Sequence, residues 1–408
     1  MIKVVQLQYS GKSAGSSALR LHHAFLEEGI DSSILSLKPD TPADNTIKNL
    51  GKKSRLISRL DANLKSYINR KNVKQYGLFT FPVFGTDITG MEAIKNADAI
   101  YLHWILGGFL NLSNIEQLSK LKKPVIMVMH DMWYITGGCH YSFDCEKYIS
   151  GCYNCQIFPG NKKNDLSAKG FRKKLKLYSK YTNFYFVSPS RWLSDCAKKS
   201  LLTKDKPVFY IPNAIDNKLF KPFDRNTAKY ILNIDASETV IAFGAVAVNS
   251  PYKGWPYLQN ALEILYRDKV LKNISILIFG SGYDKKIADA IPYKTKFMGY
   301  LSDEYSVILA YNAADVFVVP SLADNQPTTI MESMCCGIPV VGFDVGGIPD
   351  MISHKVNGYL AKYKDSEDLA SGIRFCIENK LQGSVLPVFE KKAVVRKHID
   401  LLQSILKV

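Results

Sequence analysis

Apolar and polar positions along the chain follow two alternating rhythms. "IKVVQLQYS" is an apolar, β-branched run of strand type, and "SSALRLHHAFLEEGI" has the spacing of an amphipathic helix that stops at a glycine. "DSSILSL", "NADAIYLHWI", "KPVIMVMHD", "NFYFVSPS" and "PVFYIPN" continue the strand series. Near residue 238 the rhythm restarts: "TVIAFGAVA" reads as a strand, "WPYLQNALEIL" as a helix, and "NISILIFGSG", "YKTKFMGYL" and "ADVFVVPS" follow. Continuous apolar runs of this kind suit strands covered on both faces, as in parallel sheets. Two consecutive βα series predict two doubly wound α/β domains. The joint is expected within "IPNAIDNKLFKPFDR", 211–225, where proline and polar residues break the pattern, giving domains 1–215 and 216–391. The last stretch, "FEKKAVVRKHIDLLQSIL", is an amphipathic helix, and its segment 392–408 is a candidate to pack back on the first domain.

Composition narrows this picture. The chain has 408 residues, enough for two or three domains of roughly 150 residues. An apolar fraction of 47% allows sizeable cores. No run of about 18 apolar residues marks a membrane span, and the start lacks the apolar core of a signal peptide, so a cytoplasmic protein is expected. Much of the net charge of +16 lies in two stretches, 48–76 and 160–181. They read either as solvated helix faces or as a surface for anionic lipid headgroups, a peripheral contact at the inner face of the membrane. No nucleic-acid motif accompanies them, and no nucleic-acid partner is expected.

The chemistry concentrates in "DNQPTTIMESMCCGIPVVGFDVGGIPDMI", 324–352. "PTTIMESMCCG" reads as a short helix with Pro327 near its first position and Gly337 at its end. Asp324 then lies in the loop after a strand, and Glu332 about a turn into the helix. In an open α/β sheet, ligands bind at that carboxyl edge, and the free N–H groups of the helix start attract phosphate. Carboxylates repel phosphate, so their use there is to accept hydrogen bonds from hydroxyls. The combination suits a nucleotide sugar. The plainer alternative is a capping Asp324 and a satisfied helix carboxylate at Glu332.

The stretch "PSLADNQPTTIMESMCCGIPVVGFDVGGIPDMI" resembles the donor-site motif of the retaining glycosyltransferases of family 4, which share the GT-B fold. "KPVIMVMHDMWYITGGCHYSFDCEKYISGCYNCQIFP" and "LHWILGGFLN" are similar to members of that family that assemble bacterial polysaccharides, of the colanic-acid type. The resemblance implies two Rossmann-like domains facing a central cleft, with an acceptor-side N-terminal domain and a donor-binding C-terminal one. It implies that Glu332 binds the ribose hydroxyls and that Asp324, standing where the family has a glutamate, touches the transferred sugar. Asn325, Gln326, Pro327, Thr328 and Thr329 would hold the distal phosphate. Lys253 in "GAVAVNSPYKGWPYL" matches the family lysine that faces the diphosphate. The family's partner arginine is absent, and Val248, Asn249 and Tyr252 stand nearby.

Other positions follow from the same resemblance. "FMGYLSDE" supplies Gly299, Tyr300 and Leu301 as contacts to the base through backbone groups; "LIFGSG", read from its residues alone, is a strand and a glycine turn of a common kind, where Gly280 and Gly282 are candidates to approach the nucleotide. "YSGKSAGSSALRL" places Gly11, Lys12 and Gly15 between a strand and a helix, either as a glycine-rich loop at the donor or as an ordinary connection. His130 matches the family histidine that faces the donor sugar, with a core histidine as the alternative. His103 and Arg191 are further candidates. Catalysis would rest on His130, Lys253 and Asp324 through positioning and charge stabilisation, with the leaving phosphate oxygen taking the acceptor's proton and no metal required.

Cys139, Cys145, Cys152 and Cys155 are spaced C-x5-C-x6-C-x2-C, and they read either as a structural zinc site or as free, partly buried thiols. The expected function is a hexosyltransferase-type enzyme. It would move sugar from a nucleotide-diphosphate sugar to a saccharide acceptor, lipid-linked, in surface polysaccharide synthesis. A nucleotide-sugar epimerase of the same fold and a non-catalytic basic surface-binding protein are the alternatives.

Overall fold

The structure is a computed structural model that describes residues 1–11, 14–40, 44–70, 77–158, 160, 163–269, 271–282 and 291–407. The chain divides into two compact units, residues 1–214 with 391–408, and 215–390.

The first unit is built on a seven-stranded, wholly parallel sheet. Its strands are β1 (Lys3–Gln8), β2 (Asp31–Ser36), β3 (Ile47–Asn49), β4 (Ala99–Leu102), β5 (Val125–Val128), β6 (Phe184–Ser188) and β7 (Val208–Tyr210). Their order in the sheet is β3-β2-β1-β4-β5-β6-β7. The chain starts in the middle, winds outward one way, then returns to wind outward the other way, which is the doubly wound pattern. β4 (AIYL) and β5 (VIMV) are buried at every residue, as expected for strands covered on both faces. Polar caps set several helix starts. Asn111 and Asn114 close a reciprocal capping box before Leu112–Lys120, Asp165 caps Leu166–Lys180, and Ser190 caps Arg191–Lys199.

The C-terminal helix Lys391–Leu406 belongs to this unit. Its Val394, Val395, Ile399, Leu401 and Leu402 share a core cluster with Leu21, Phe25, Ile30 and Tyr101. His398 is buried with them, and its ring nitrogen meets the Tyr101 hydroxyl at 3.4 Å.

The second unit carries a six-stranded parallel sheet of β8 (Thr239–Ala247), β9 (Ile274–Ser281), β10 (Lys294–Phe297), β11 (Val316–Val319), β12 (Val340–Phe343) and β13 (Gly358–Ala361). The order is β10-β9-β8-β11-β12-β13, again wound outward from the centre. Parallel pairing sets all carboxyl ends at one edge, and the loops after β8, β9, β10 and β11 carry most of the residues singled out in the sequence.

Candidate functional site

In the second unit, Lys253 and Asp324 meet through backbone that only glycine permits. After β8 the chain makes a single turn, Pro251–Lys253, and enters the helix Trp255–Asp268 through Gly254 at φ +71°. A Cβ on Gly254 would lie 1.8 Å from the carbonyl oxygen of Pro320, so a side chain is excluded twice over, by conformation and by contact. Leu322 N–H donates to the Tyr252 carbonyl at 2.7 Å and ties the two loops together. Lys253 Nζ thereby reaches Asp324 Oδ2 at 2.5 Å, with side-chain exposures of 21% and 10%. Ser321 Oγ donates to the same carboxylate at 3.2 Å, and Asn325 N–H to its other oxygen at 3.1 Å. Burial works against the charge on Lys253, but the Asp324 carboxylate more than offsets it and the ammonium is held above its ordinary pKa. The amine that matches the diphosphate lysine is thus already paired with the carboxylate that matches the sugar-contacting one.

The helix of the motif is Thr328–Cys335, with Pro327 as its N-cap and Gly337 at φ +80° beyond its end. Pro327 therefore stands one place before the helical positions. Ile330 N–H donates to the Pro327 carbonyl at 3.1 Å, and the N–H groups of Thr328 and Thr329 precede the first intrahelical acceptor. Glu332 is buried, and Tyr311 from the helix Glu304–Asn312 donates its hydroxyl to Oε2 at 3.2 Å. Asn325 and Gln326 are also buried, while Thr328 and Thr329 are half-exposed. Tyr311 went unnoticed in the sequence because it sits inside an apolar run, "VILAYNAA". No spacing distinguishes it from a core aromatic.

The neighbouring carboxyl ends form a second group. Gly280 N–H donates to the Gly299 carbonyl at 2.8 Å, linking the ends of β9 and β10. Gly282 lies directly under the amide of Asn249, where a Cβ would fall 2.3 Å from Oδ1. Tyr300 is exposed and Leu301 packs on the core.

In the first unit the structure brings His103 and His130 together. His103 Nδ1 meets His130 Nε2 at 3.0 Å, and His103 Nε2 meets Gln6 Oε1 at 2.9 Å. Burial pushes His130 down to about 4 and holds His103 well below the usual range, so both rings are neutral. Asp131, beside them, binds His140 Nδ1 at 2.6 Å, and His140 Nε2 meets Thr80 Oγ1 at 2.9 Å. Gly11 N–H donates to Asp40 at 2.8 Å, and Gly15 lies in the first turn of the helix Ala14–Glu27. Lys12 is outside the described residues. Arg191 opens the helix Arg191–Lys199 and lies over the Tyr210 ring at 5.4 Å. Gln8, fully buried at the end of β1, has neither amide atom paired among the described residues, and was not singled out in the sequence. Its signal was there: two glutamines, Gln6 and Gln8, on one face of a buried strand.

The four loop cysteines have free thiols, and the neighbouring sulfurs are a lesser influence on Cys139, Cys152 and Cys155. Burial is the larger cause, pushing Cys152 up to about 12 and raising Cys139 and Cys155, so these thiols stay protonated. Among the described residues no group of three or more His, Cys, Asp or Glu is placed to hold a metal ion. A different side chain stiffens this loop. Lys174 is completely buried, donates to the carbonyls of Trp133 and Thr136, and lies 3.6 Å from the Trp133 ring centre.

Comparison with known proteins agrees with this architecture. Over 99% of both chains, the structure superposes on sucrose-phosphate synthase from Thermosynechococcus elongatus with a TM-score of 0.67 at 15% identity. It covers 98% of Anabaena HepE, solved with UDP-glucose, with a TM-score of 0.60 at 16% identity. The fold is GT-B. Within this GT-B chain, residues 237–379 match the family model described as glycosyl transferases group 1. A D-inositol 3-phosphate glycosyltransferase of Segniliparus rotundus is 29% identical over 160 residues, 37% of this chain and 34% of the relative. The chain spans about half or less of the length of the first curated relatives it matches. The GT-B unit that matches the family model is the one that carries Lys253, Asp324 and Glu332.

Proposed function

We propose that the chain is a retaining glycosyltransferase that moves a sugar from a nucleoside-diphosphate sugar to a lipid-linked saccharide in surface polysaccharide synthesis. The observation that carries this reading is the Lys253–Asp324 pair at 2.5 Å, set beside the helix start at Thr328 with Glu332 buried behind it. Lys253 and the first-turn N–H groups supply positive charge for a diphosphate. Glu332, held by Tyr311, accepts ribose hydroxyls, and Asp324 accepts hydroxyls of the sugar. As the glycosidic bond breaks, negative charge grows on the leaving diphosphate, and a fixed ammonium stabilises it without reorganisation. HepE, of the same fold, was solved with UDP-glucose.

The lipid part of the reading rests on the helix Lys52–Arg70. It turns Ser54, Ser58 and Asp61 inward, while Leu56, Leu60 and Tyr67 are 59%, 49% and 61% exposed. Lys52, Lys53, Arg55, Arg59 and Arg70 flank that stripe and are exposed too. Apolar side chains ringed by cations on an outward helix face fit the interface of an anionic bilayer.

The test is transfer from labelled UDP-, ADP- and GDP-sugars to a lipid extract, with the anomeric configuration of the product read by NMR. The reading requires transfer with retention, lost in Glu332→Ala. Inversion, or transfer that survives Glu332→Ala, contradicts it. Co-sedimentation with anionic vesicles should fall in Leu56→Glu/Leu60→Glu; unchanged binding removes the membrane claim.

A further inference from the structure

A file of polar side chains, buried from His22 to His103, crosses the first sheet from its surface edge to His130. It begins at Asp44, whose carboxylate accepts the Thr46 hydroxyl at 2.6 Å. It continues from Thr46 Oγ1 to His22 Nε2 (3.0 Å), from His22 Nδ1 to Ser32 Oγ (2.9 Å), and from Ser32 Oγ to Gln6 Nε2 (3.2 Å). It ends with Gln6 Oε1 to His103 Nε2 (2.9 Å) and His103 Nδ1 to His130 Nε2 (3.0 Å). The members come from the turn before β3, the helix Ala14–Glu27, β2, β1 and the ends of β4 and β5.

One end of the file dictates the direction of every link. The Asp44 carboxylate can only accept, so the single Thr46 proton goes to it. Thr46 Oγ1 must then accept from His22, which places the His22 proton on Nε2. His22 is neutral, pushed down to about 4 chiefly by burial, so its Nδ1 accepts from the Ser32 hydroxyl. Ser32 has spent its proton and must accept from the Gln6 amide nitrogen. That turns the Gln6 oxygen toward His103, whose Nε2 donates to it. His103 is neutral as well, so its Nδ1 accepts from His130 Nε2–H. The amide at Gln6 does not relay protons readily, so the file orients rather than conducts.

We propose that this file is a tautomer lock that holds His130 as the Nε2–H imidazole with Nδ1 as an acceptor. His103, Gln6, Ser32, His22, Thr46 and Asp44 act as positioning residues through it. A neutral imidazole presenting an acceptor takes a hydrogen bond from a hydroxyl. It gives nothing to a carboxylate or phosphate oxygen, which can only accept. The lock therefore fixes what His130 Nδ1 can do, which is to accept from a hydroxyl and not to donate to an anion, and the bearing of this on a saccharide rests on the transferase reading above.

The test is a long-range 1H–15N correlation spectrum of the full chain labelled at its seven histidines, at pH 7 and without nucleotide. His22, His103 and His130 should each show a protonated Nε2 and a bare Nδ1. A protonated Nδ1 on His103 or His130, or a charged ring at either, overturns the proposal. Asp44→Ala, at the exposed end of the file, frees the Thr46 hydroxyl to donate to His22. It should move His22 toward the Nδ1–H form; an unchanged His22 shows that Asp44 does not set the direction. Because the spectrum is read on the free protein, it stands or falls separately from any failure of sugar transfer.

Discussion

Replacing Asp324 with asparagine keeps its shape and removes its charge, which isolates what the carboxylate does to Lys253. The ammonium is paired with the carboxylate at 2.5 Å. Unit charges 4 Å apart attract by about 1 kcal/mol in water and about 4 kcal/mol at the effective dielectric near a protein surface. Lys253 is 21% exposed, so screening places this pair between those limits, at about 2 kcal/mol. A diphosphate arriving at Lys253 has to displace that attraction and also meets the like charge of the carboxylate. Asp324→Asn should therefore bind the sugar-free nucleoside diphosphate tighter by about 2 kcal/mol, ~30-fold. The same change should abolish the extra affinity for the sugar-bearing form, because the hydroxyl acceptor is lost. The assay is titration calorimetry with UDP, ADP and GDP and their glucose conjugates at two salt concentrations, since the gain should shrink with added salt. In a Lys253→Met background the gain from Asp324→Asn should mostly vanish. Unchanged or weaker diphosphate binding in Asp324→Asn, or the full gain without Lys253, would refute the coupling.

Three further outcomes follow from the same geometry. Tyr311→Phe removes the hydroxyl that fixes Glu332, and should cost about 1–2 kcal/mol in urea unfolding and more in nucleotide affinity than in affinity for inorganic pyrophosphate. Gly254→Ala forces a side chain into the Pro320 carbonyl at φ +71° and should destabilise the chain by more than 1 kcal/mol while weakening diphosphate binding; a wild-type melting curve would show that the turn is not needed. His398, pushed down by burial to about 3, and His22 and His130, at about 4, all bind protons more readily unfolded. Stability is thus full above pH ~6.5 and lost as pH falls toward 4, by on the order of 3 kcal/mol for one such group; His398→Phe should flatten that dependence, and a pH-independent unfolding midpoint would contradict it.

The alternation of apolar runs and amphipathic stretches carried most of the fold, because strands buried on both faces leave continuous apolar segments that few other structures produce. β4, β5, β8 and β11 all lie inside segments read as strands. The helix after Asp324 was legible from Pro327 and Gly337, since each residue type serves a helix end for its own steric reason. The pairing of Lys253 with Asp324 was not legible. It depends on Gly254 passing within contact of Pro320, a tertiary approach 66 positions apart that leaves no local pattern. Tyr311, Lys174 and the file behind His130 were missed for the same reason. Each is a polar group in a buried run, and its partner lies on another strand or helix. The basic stretch 48–76 showed its charge in the sequence, but the inward turn of Ser54, Ser58 and Asp61 appears only once the helix is packed; residues 71–76 lie outside the described part.

The most direct test of the central claim is a crystal structure of the full chain with a nucleoside-diphosphate sugar bound. The account predicts the diphosphate within hydrogen-bonding distance of Lys253 Nζ and the N–H groups of Thr328 and Thr329, with the ribose on Glu332. A nucleotide seated away from these groups, with the Lys253–Asp324 pair undisturbed, would contradict it.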